Sequence, residues 1–539
     1  MKKWVKLAIL VLCIQNVEAQ IRKEDKPKLI VGIVVDQMRY DLLMRFQGNF
    51  GKAGFQRLLQ NGFRAENMKY NYAPTVTGPG HASIYTGTTP AIHGIVGNNW
   101  LENGHRKMYC VLDESVKCIG SEANNAGSMS PKNMFTTTMT DQIKLASNKE
   151  AKIIGIALKD RGAILPAGHM ANAAYWYDKE SGNWITSSYY MDSLPLWVKN
   201  VNTSQSITKY MQNGWHLLHS KDKYLAKNDD NVPWEENPFK ADKTVLPYTF
   251  KAEKYNSDVR FTPHGNSITT DMAISAIKEE KLGRGLTTDF LAISYSSTDY
   301  IGHAFGPYSL EIEDCYYRLD QDIERLLKTI DEQTAGQYWV FLTADHGVQD
   351  VPDFSIKNGV PGGRLSEEKL AKKINSLLEA KFGGSKPVIG IENEQIYLQN
   401  PAMADSAATF LNSLSSEEFE GIAGFYPTEH LASAPIVKSI REMYIDGYQR
   451  NRSGQIAIML RPNWMTHPGK GTSHSSPYSH DIHVPFLFYG LGVKPSSSSS
   501  PYKITDIAPT VSYLMGILHP NGSTGTPIKE LEYLIQMKR

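Results

Sequence analysis

In TDYIGHAFGP, Asp299 and His303 stand four residues apart. That interval puts two side chains on one face of a helical turn and lets both reach one ion. TADHG sets Asp345 beside His346 straight after an apolar run, and IVGIVVD ends on a third carboxylate, Asp36. YNYAPTVTGPGHASIYTG packs hydroxyl residues around a Gly-Pro-Gly, with Thr77 at its centre. Each feature also has a plain structural reading. Asp36 could cap the next helix, and Asp345 could bond to backbone in a turn. Thr77 or Gly78 could cap a helix with Pro79 at its first position, running to Gly87. Taken together they bring three aspartates, at least two histidines and a helix-starting threonine to one rim. Mixed carboxylate and imidazole ligands suit zinc or a similar borderline divalent ion; calcium calls for oxygen ligands throughout.

The positioning elements are legible as apolar runs. KLIVGIVVD, AKIIGIALKDRG, DFLAISYSSTD, QYWVFLTADHG and HVPFLFYG read as buried strands. Helical patterns such as SITTDMAISAIKEE and CYYRLDQDIERLLKTI lie between them. This alternation predicts an α/β fold, a mostly parallel central sheet with helices on both faces. Ligands in such folds sit beyond the carboxyl ends of the strands, where four of the five runs deliver their polar residues; the fifth begins with His483. Two stretches break the alternation and read as insertions. Residues about 170–262 are aromatic-rich and irregular, as in a lid. Residues about 352–460 include a helix capped by Ser366, with Leu370, Ile374, Leu377 and Leu378 on one face. KPSSSSSPY, residues 494–502, reads as a polar loop.

The chain has 539 residues, 41% of them hydrophobic and 21% charged, an ordinary globular composition. Residues 1–19 differ: Lys2, Lys3 and Lys6 precede a short apolar run, and Val17-Glu18-Ala19 resembles a cleavage site. This is a signal peptide by pattern, too short to span a bilayer. The expected mature chain, 20–539, is exported to the periplasm or beyond and soluble. It carries 54 basic and 55 acidic residues, so neither nucleic acid nor an anionic membrane is an expected partner. Cys110 and Cys118 could close a small loop in an oxidising compartment, whereas Cys315 lies in a helical pattern and reads as a buried free thiol.

The segments VVDQMRYD, APTVTGPGHASIYTGTTPAIHGIVGNNW, LKDRGAILPAGH, STDYIGHAFGP, LTADHG and GTSHSSPYSHDIHVPFLFYG resemble the alkaline phosphatase superfamily. More narrowly they are similar to bacterial phosphate-irrepressible alkaline phosphatases of the PafA type, in family order from about residue 30 to 490. The resemblance implies a two-zinc site, with another divalent cation such as Ca2+ as a possible substitute. Asp36, Thr77, Asp345 and His346 would surround one ion, and Asp299, His303 and His483 the other. His483 is chosen over His474 and His480 because it directly precedes the Val-Pro strand. Thr77 would be the nucleophile. Asn98 in GNNW, with Lys159 and Arg161 in KDRG, would grip the phosphoryl oxygens.

Charge supports that grouping. Two divalent ions balance three aspartates and a Thr77 alkoxide, so a dianionic phosphate monoester needs further cations, and Lys159 and Arg161 supply them. The expected activity is hydrolysis of small-molecule phosphate monoesters through a phospho-threonine, by a monomer. A nucleotide pyrophosphatase/phosphodiesterase of the same superfamily is the alternative enzyme, disfavoured by the Lys159/Arg161 pair. A non-catalytic, secreted phosphate-binding protein is the alternative of another class. A sulfatase lacks its Cys or Ser nucleophile here, and a cofactor-independent phosphoglycerate mutase would use Ser.

Overall fold

The computed structural model describes residues 26–102, 106–122, 125–226, 230–414 and 417–534; the expected signal peptide lies outside them. Five neighbouring strands run parallel, in the order Tyr338–Thr343, Leu29–Val35, Asp289–Tyr295, Ile153–Ala157 and Ala173–Asp178. All five are buried along their whole length. With both faces covered there is no solvent side to impose alternation, hence the continuous apolar runs.

Antiparallel strands flank this centre. His483–Gly490 pairs antiparallel with Tyr338–Thr343 and with Phe63–Lys69. At the other side Asn183–Ser187 pairs antiparallel with Ala173–Asp178. Short edge segments complete an eleven-stranded sheet. One of them, Ser496–Ser498, comes from the serine tract expected to be a loop. Its backbone pairs in parallel with Phe63–Ala65, and an edge strand accepts hydroxyl side chains because it faces water. The long helices Pro263–Glu279 and Leu310–Thr334 pack against each other. Among the described residues no helix is long and apolar enough to cross a membrane.

Within the stretch 352–460 lies a separate four-stranded sheet, ordered Val388–Glu392, Gln395–Leu398, Ile456–Leu460 and Ile422–Pro427, all antiparallel. Ile374 and Leu378 of helix Glu367–Phe382 and Leu411 of helix Ala404–Ser413 share a buried core with Ile396 and Ile458 of that sheet. Ser366 caps the first of these helices by accepting from the Lys369 N–H. The expected insertion at 170–262 begins later than its sequence suggested, because Ala173–Asp178 and Asn183–Ser187 are strands of the main sheet. Their aromatic residues are buried: Tyr175, Trp176 and Trp184 serve the core rather than a lid. Cys110, Cys118 and Cys315 are all free thiols, so the small loop between the first two is not closed.

Candidate active site

Four adjacent parallel strands end at one place. Asp36 follows Leu29–Val35, and Asp345 and His346 follow Tyr338–Thr343. After Asp289–Tyr295 the chain turns into helix Ser297–Phe305, which carries Asp299 and His303. After Ile153–Ala157, Lys159 is the N-cap residue of helix Asp160–Ala167. Strand ends in a parallel sheet converge in this way because each strand leaves the sheet on the same edge.

Thr77 reaches the site as the first residue of helix Thr77–Thr86. The helix ends at left-handed Gly87 as expected, but the cap is neither Thr77 nor Gly78. Val76, with φ −134° and ψ 162°, is the extended N-cap residue, and Pro79 stands third in the helix. Valine has no side-chain acceptor, so the Thr77 hydroxyl is not used as a cap. Its Oγ1 lies 3.4 Å from His346 Nε2 and 3.5 Å from Lys159 Nζ. The helix packs so tightly here that a Cβ at Gly80 would overlap the Asp345 carbonyl oxygen.

Three histidines share one arrangement. His303 Nδ1 is 2.7 Å from the Thr472 carbonyl, His346 Nδ1 2.9 Å from that of Gly347, and His474 Nδ1 2.8 Å from that of Thr75. A carbonyl can only accept, so each Nδ1 carries a hydrogen; in the neutral ring this leaves the lone pair on Nε2, the tautomer of a metal ligand. Those Nε2 atoms lie among the carboxylates. His303 Nε2 is 3.1 Å and His474 Nε2 3.6 Å from Asp299 Oδ1. His346 Nε2 is 3.5 Å from both Asp36 Oδ1 and Asp345 Oδ2. Ligand atoms of Asp36, Asp345 and His346 all lie within 4.8 Å of one another, as do those of Asp299, His346 and His474.

The charge balance fits a cation. Asp36 Oδ1 and Asp345 Oδ2 are fully buried with no hydrogen-bond partner, a costly state unless a cation is near. Burial, then repulsion from Asp299, raises Asp36 above its ordinary pKa against the pull of Lys159. Burial and then Asp36 push Asp345 well above the carboxylate range. Burial also opposes ionisation of Asp299, but His303 and Lys159 outweigh it and hold that carboxyl well below the usual value. Burial and His474 keep His346 neutral. Lys159 Nζ donates to Asp36 Oδ2 and Asp299 Oδ2, 2.6 Å each, tying the two groups together. The residues present therefore fit divalent ions held by mixed oxygen and nitrogen donors.

Among the expected ligands, the structure brings Asp36, Thr77, Asp299, His303, Asp345 and His346 together, and it does not bring His483. That ring stacks on Tyr40 at 4.7 Å and its Nε2 donates to the Glu66 carbonyl, 2.9 Å away. His483 opens the antiparallel strand that flanks the parallel centre and pairs with Lys69 on that strand's outer side. His474, in the loop before it, stands with the cluster instead, stacked on His346. Its loop, GTSHSSP, offers no periodic pattern to place a side chain, so spacing alone could not rank it. Asn98 is beside Thr77, its Oδ1 accepting from the Gly78 N–H at 2.8 Å. Arg161 Nη1 donates to the Tyr109 hydroxyl at 3.0 Å, and that hydroxyl in turn bonds Asp160.

Residues 30–483 match the family model described as type I phosphodiesterase / nucleotide pyrophosphatase. A Myroides odoratus protein named calcium-transporting ATPase is 43% identical over 94% of this chain and 95% of its own. Alkaline phosphatase PhoV of Synechococcus elongatus is 43% identical over 94% and 93%. Alkaline phosphatase PafA of Elizabethkingia meningoseptica is 39% identical over 98% and 99%. A crystal structure of PafA superposes with a TM-score of 0.90 over 94% of this chain and 99% of that one. A second PafA structure, 38% identical, carries changes at a Thr, an Asn, a Lys and an Arg. That Asn follows the Thr by 21 positions and the Arg follows the Lys by 2, as Asn98 follows Thr77 and Arg161 follows Lys159 here.

Proposed function

The chain belongs to the type I phosphodiesterase / nucleotide pyrophosphatase family within the alkaline phosphatase superfamily, and from this we propose that it is an exported, zinc-dependent alkaline phosphatase. It hydrolyses small-molecule phosphate monoesters and releases inorganic phosphate. The observation that carries this reading is the position of Thr77: a buried hydroxyl that accepts from Lys159 Nζ at 3.5 Å and lies 3.4 Å from Nε2 of His346 in the acidic cluster.

In this reading Asp36, Thr77, Asp345 and His346 would hold one ion and Asp299, His303 and His474 the other. When bound, such ions would supply positive charge that favours the Thr77 alkoxide and balances charge developing on the leaving oxygen. Thr77 Oγ1, its proton released to solvent, attacks phosphorus in line, so a Thr77–phosphorus bond forms as the bond to the alcohol oxygen breaks. The alcohol departs and takes up a proton from solvent. Water then cleaves the phospho-threonine, releasing phosphate and restoring the hydroxyl. Asn98 spends its Oδ1 on Gly78, which leaves its Nδ2 hydrogens for a phosphoryl oxygen. Lys159 provides a point charge and Arg161 a fork for two oxygens. Those two cations match a dianion better than the monoanion of a diester, which argues against the diesterase alternative. The matching Thr–Asn and Lys–Arg spacings in PafA support the same four residues.

The test is paired hydrolysis of p-nitrophenyl phosphate and bis-p-nitrophenyl phosphate at pH 8–9, before and after chelation and zinc add-back. Metal-dependent preference for the monoester is expected. Preference for the diester would move the protein to the phosphodiesterase branch, and inactivity on both would favour a binding protein.

A further inference from the structure

The hairpin of the inserted subdomain turns in two residues, Asn393 and Glu394, between paired Glu392 and Gln395. Both are left-handed, with φ 53° and 55°. Turns of this kind favour Asn followed by Gly, so a glutamate in the second place is out of keeping with turn chemistry alone. Hairpin tips also ordinarily face water, yet Glu394 is only 8% exposed. Some contact beyond the turn therefore holds that carboxylate inside.

The tip sits between two loops of the active site. On one side Asn393 Nδ2 donates to the Asn99 carbonyl at 2.7 Å. It lies so close to Gly97 that a methyl group there would overlap its amide. Gly97 and Asn99 flank Asn98. On the other side Glu394 Oε1 accepts from Ser475 Oγ at 3.0 Å and from Thr466 Oγ1 at 2.6 Å. Ser475 follows His474 and holds φ 143°, a backbone conformation that side-chain-bearing residues rarely adopt. Its N–H donates to Asp481 Oδ2 at 3.1 Å and its carbonyl accepts from the Thr75 N–H at 3.1 Å. The Glu394 contact is the third restraint on this strained residue, and the one supplied by the inserted subdomain.

We infer that the Asn393–Glu394 tip is a positioning strap through which the inserted subdomain sets two parts of the site separately. Asn393 holds the loop that presents Asn98 to a phosphoryl group. Glu394 holds Ser475 and thereby keeps His474 aimed at its ion. Neither touches substrate or metal. The inference rests on the roles proposed above for Asn98 and His474. Strained conformations persist where their surroundings over-determine them and cluster at functional sites, and outer contacts to metal ligands commonly tune metal affinity by 10–100-fold.

The test reads binding, not turnover, on purified full-length protein. Asn393→Gly keeps the left-handed backbone and deletes the amide. It should weaken inorganic phosphate binding about tenfold by calorimetry and leave zinc loss to chelator at the wild-type rate. Glu394→Ala should speed zinc loss about tenfold or more, with phosphate affinity of the zinc-reloaded protein unchanged. Glu394→Gln keeps an oxygen to accept both hydroxyls and should restore zinc retention. Ser475→Ala should loosen zinc as Glu394→Ala does, which keeps the idea testable if the latter folds poorly. Wild-type behaviour in Asn393→Gly and Glu394→Ala would overturn the strap while leaving the phosphatase reading intact. So would parallel losses of both readouts in both variants together with a lower melting temperature. Wild-type protein that bound neither zinc nor phosphate would overturn the phosphatase reading itself, and the strap with it.

Discussion

The rings of His346 and His474 stack with centroids 3.5 Å apart and planes 15° from parallel. Their Nδ1 atoms are spent on the carbonyls of Gly347 and Thr75, which leaves both Nε2 atoms among the aspartates. Replacing His474 by Ala should cut bound zinc by about one equivalent and activity by about 100-fold or more. His483→Ala should leave zinc content and turnover near wild type, because its ring is occupied by Tyr40 and Glu66. Metal analysis of the two purified variants, beside their rates, decides between the histidines.

Thr77 starts its helix without capping it, since Val76 holds the cap position. Thr77→Ala should therefore abolish turnover while shifting the melting temperature by only about 2 °C or less, because the helix loses no cap. Thr77→Ser should retain activity. A thermal melt followed by circular dichroism, alongside burst kinetics, checks both halves of this statement.

Glycine inside a helix normally weakens it, so Gly→Ala there is usually stabilising. At Gly80 the sign should reverse, because the new Cβ would overlap the Asp345 carbonyl. The helix must move off the Asp345–His346 turn and carry Thr77 with it. A displacement of about 1 Å is enough to lower kcat by about 100-fold. Gly80→Ala should show that loss in kcat with zinc still bound.

Asp320 lies on helix Leu310–Thr334 and is 3% exposed, accepting from the N–H groups of Gly51 at 2.7 Å and Phe55 at 2.6 Å. Burial outweighs those two donors and lifts its pKa to about 6. A carboxyl whose folded pKa exceeds its unfolded value of 3.8 favours the native state most below that unfolded value. The advantage is lost as pH rises through the folded pKa. Asp320→Asn is neutral throughout. It should therefore gain stability relative to wild type between about pH 4 and 6.5, by denaturant titration at matched ionic strength. A constant difference across that window would mean that Asp320 does not titrate as described.

The parallel centre is legible because its strands are buried on both faces and carry no polar alternation; Leu29–Val35 and Asp289–Tyr295 read as strands, with Asp36 directly after the first and Asp299 in the helix that follows the second. Ala173–Asp178 was missed because its aromatic, polar-tipped composition resembles a loop until Tyr175 and Trp176 are seen in the core. The serine tract was missed for the opposite reason: an edge strand is held by backbone pairing with Phe63–Ala65, which no side-chain pattern records. In the site, Asp299 and His303 were readable from helical spacing, and Asp345 and His346 from their place after a strand. His474 was not readable, because its position comes from a strained loop tied to Thr75, Asp481 and Glu394, residues far apart in sequence.

We propose a monoesterase whose selectivity comes from Lys159 and Arg161. Its most direct test is kcat/KM for p-nitrophenyl phosphate and bis-p-nitrophenyl phosphate, measured for wild type and for the double variant Lys159→Ala/Arg161→Ala with zinc content confirmed. In the double variant monoester hydrolysis should fall by at least about 100-fold while diester hydrolysis falls far less, so that the preference collapses. Equal losses on both substrates would contradict it.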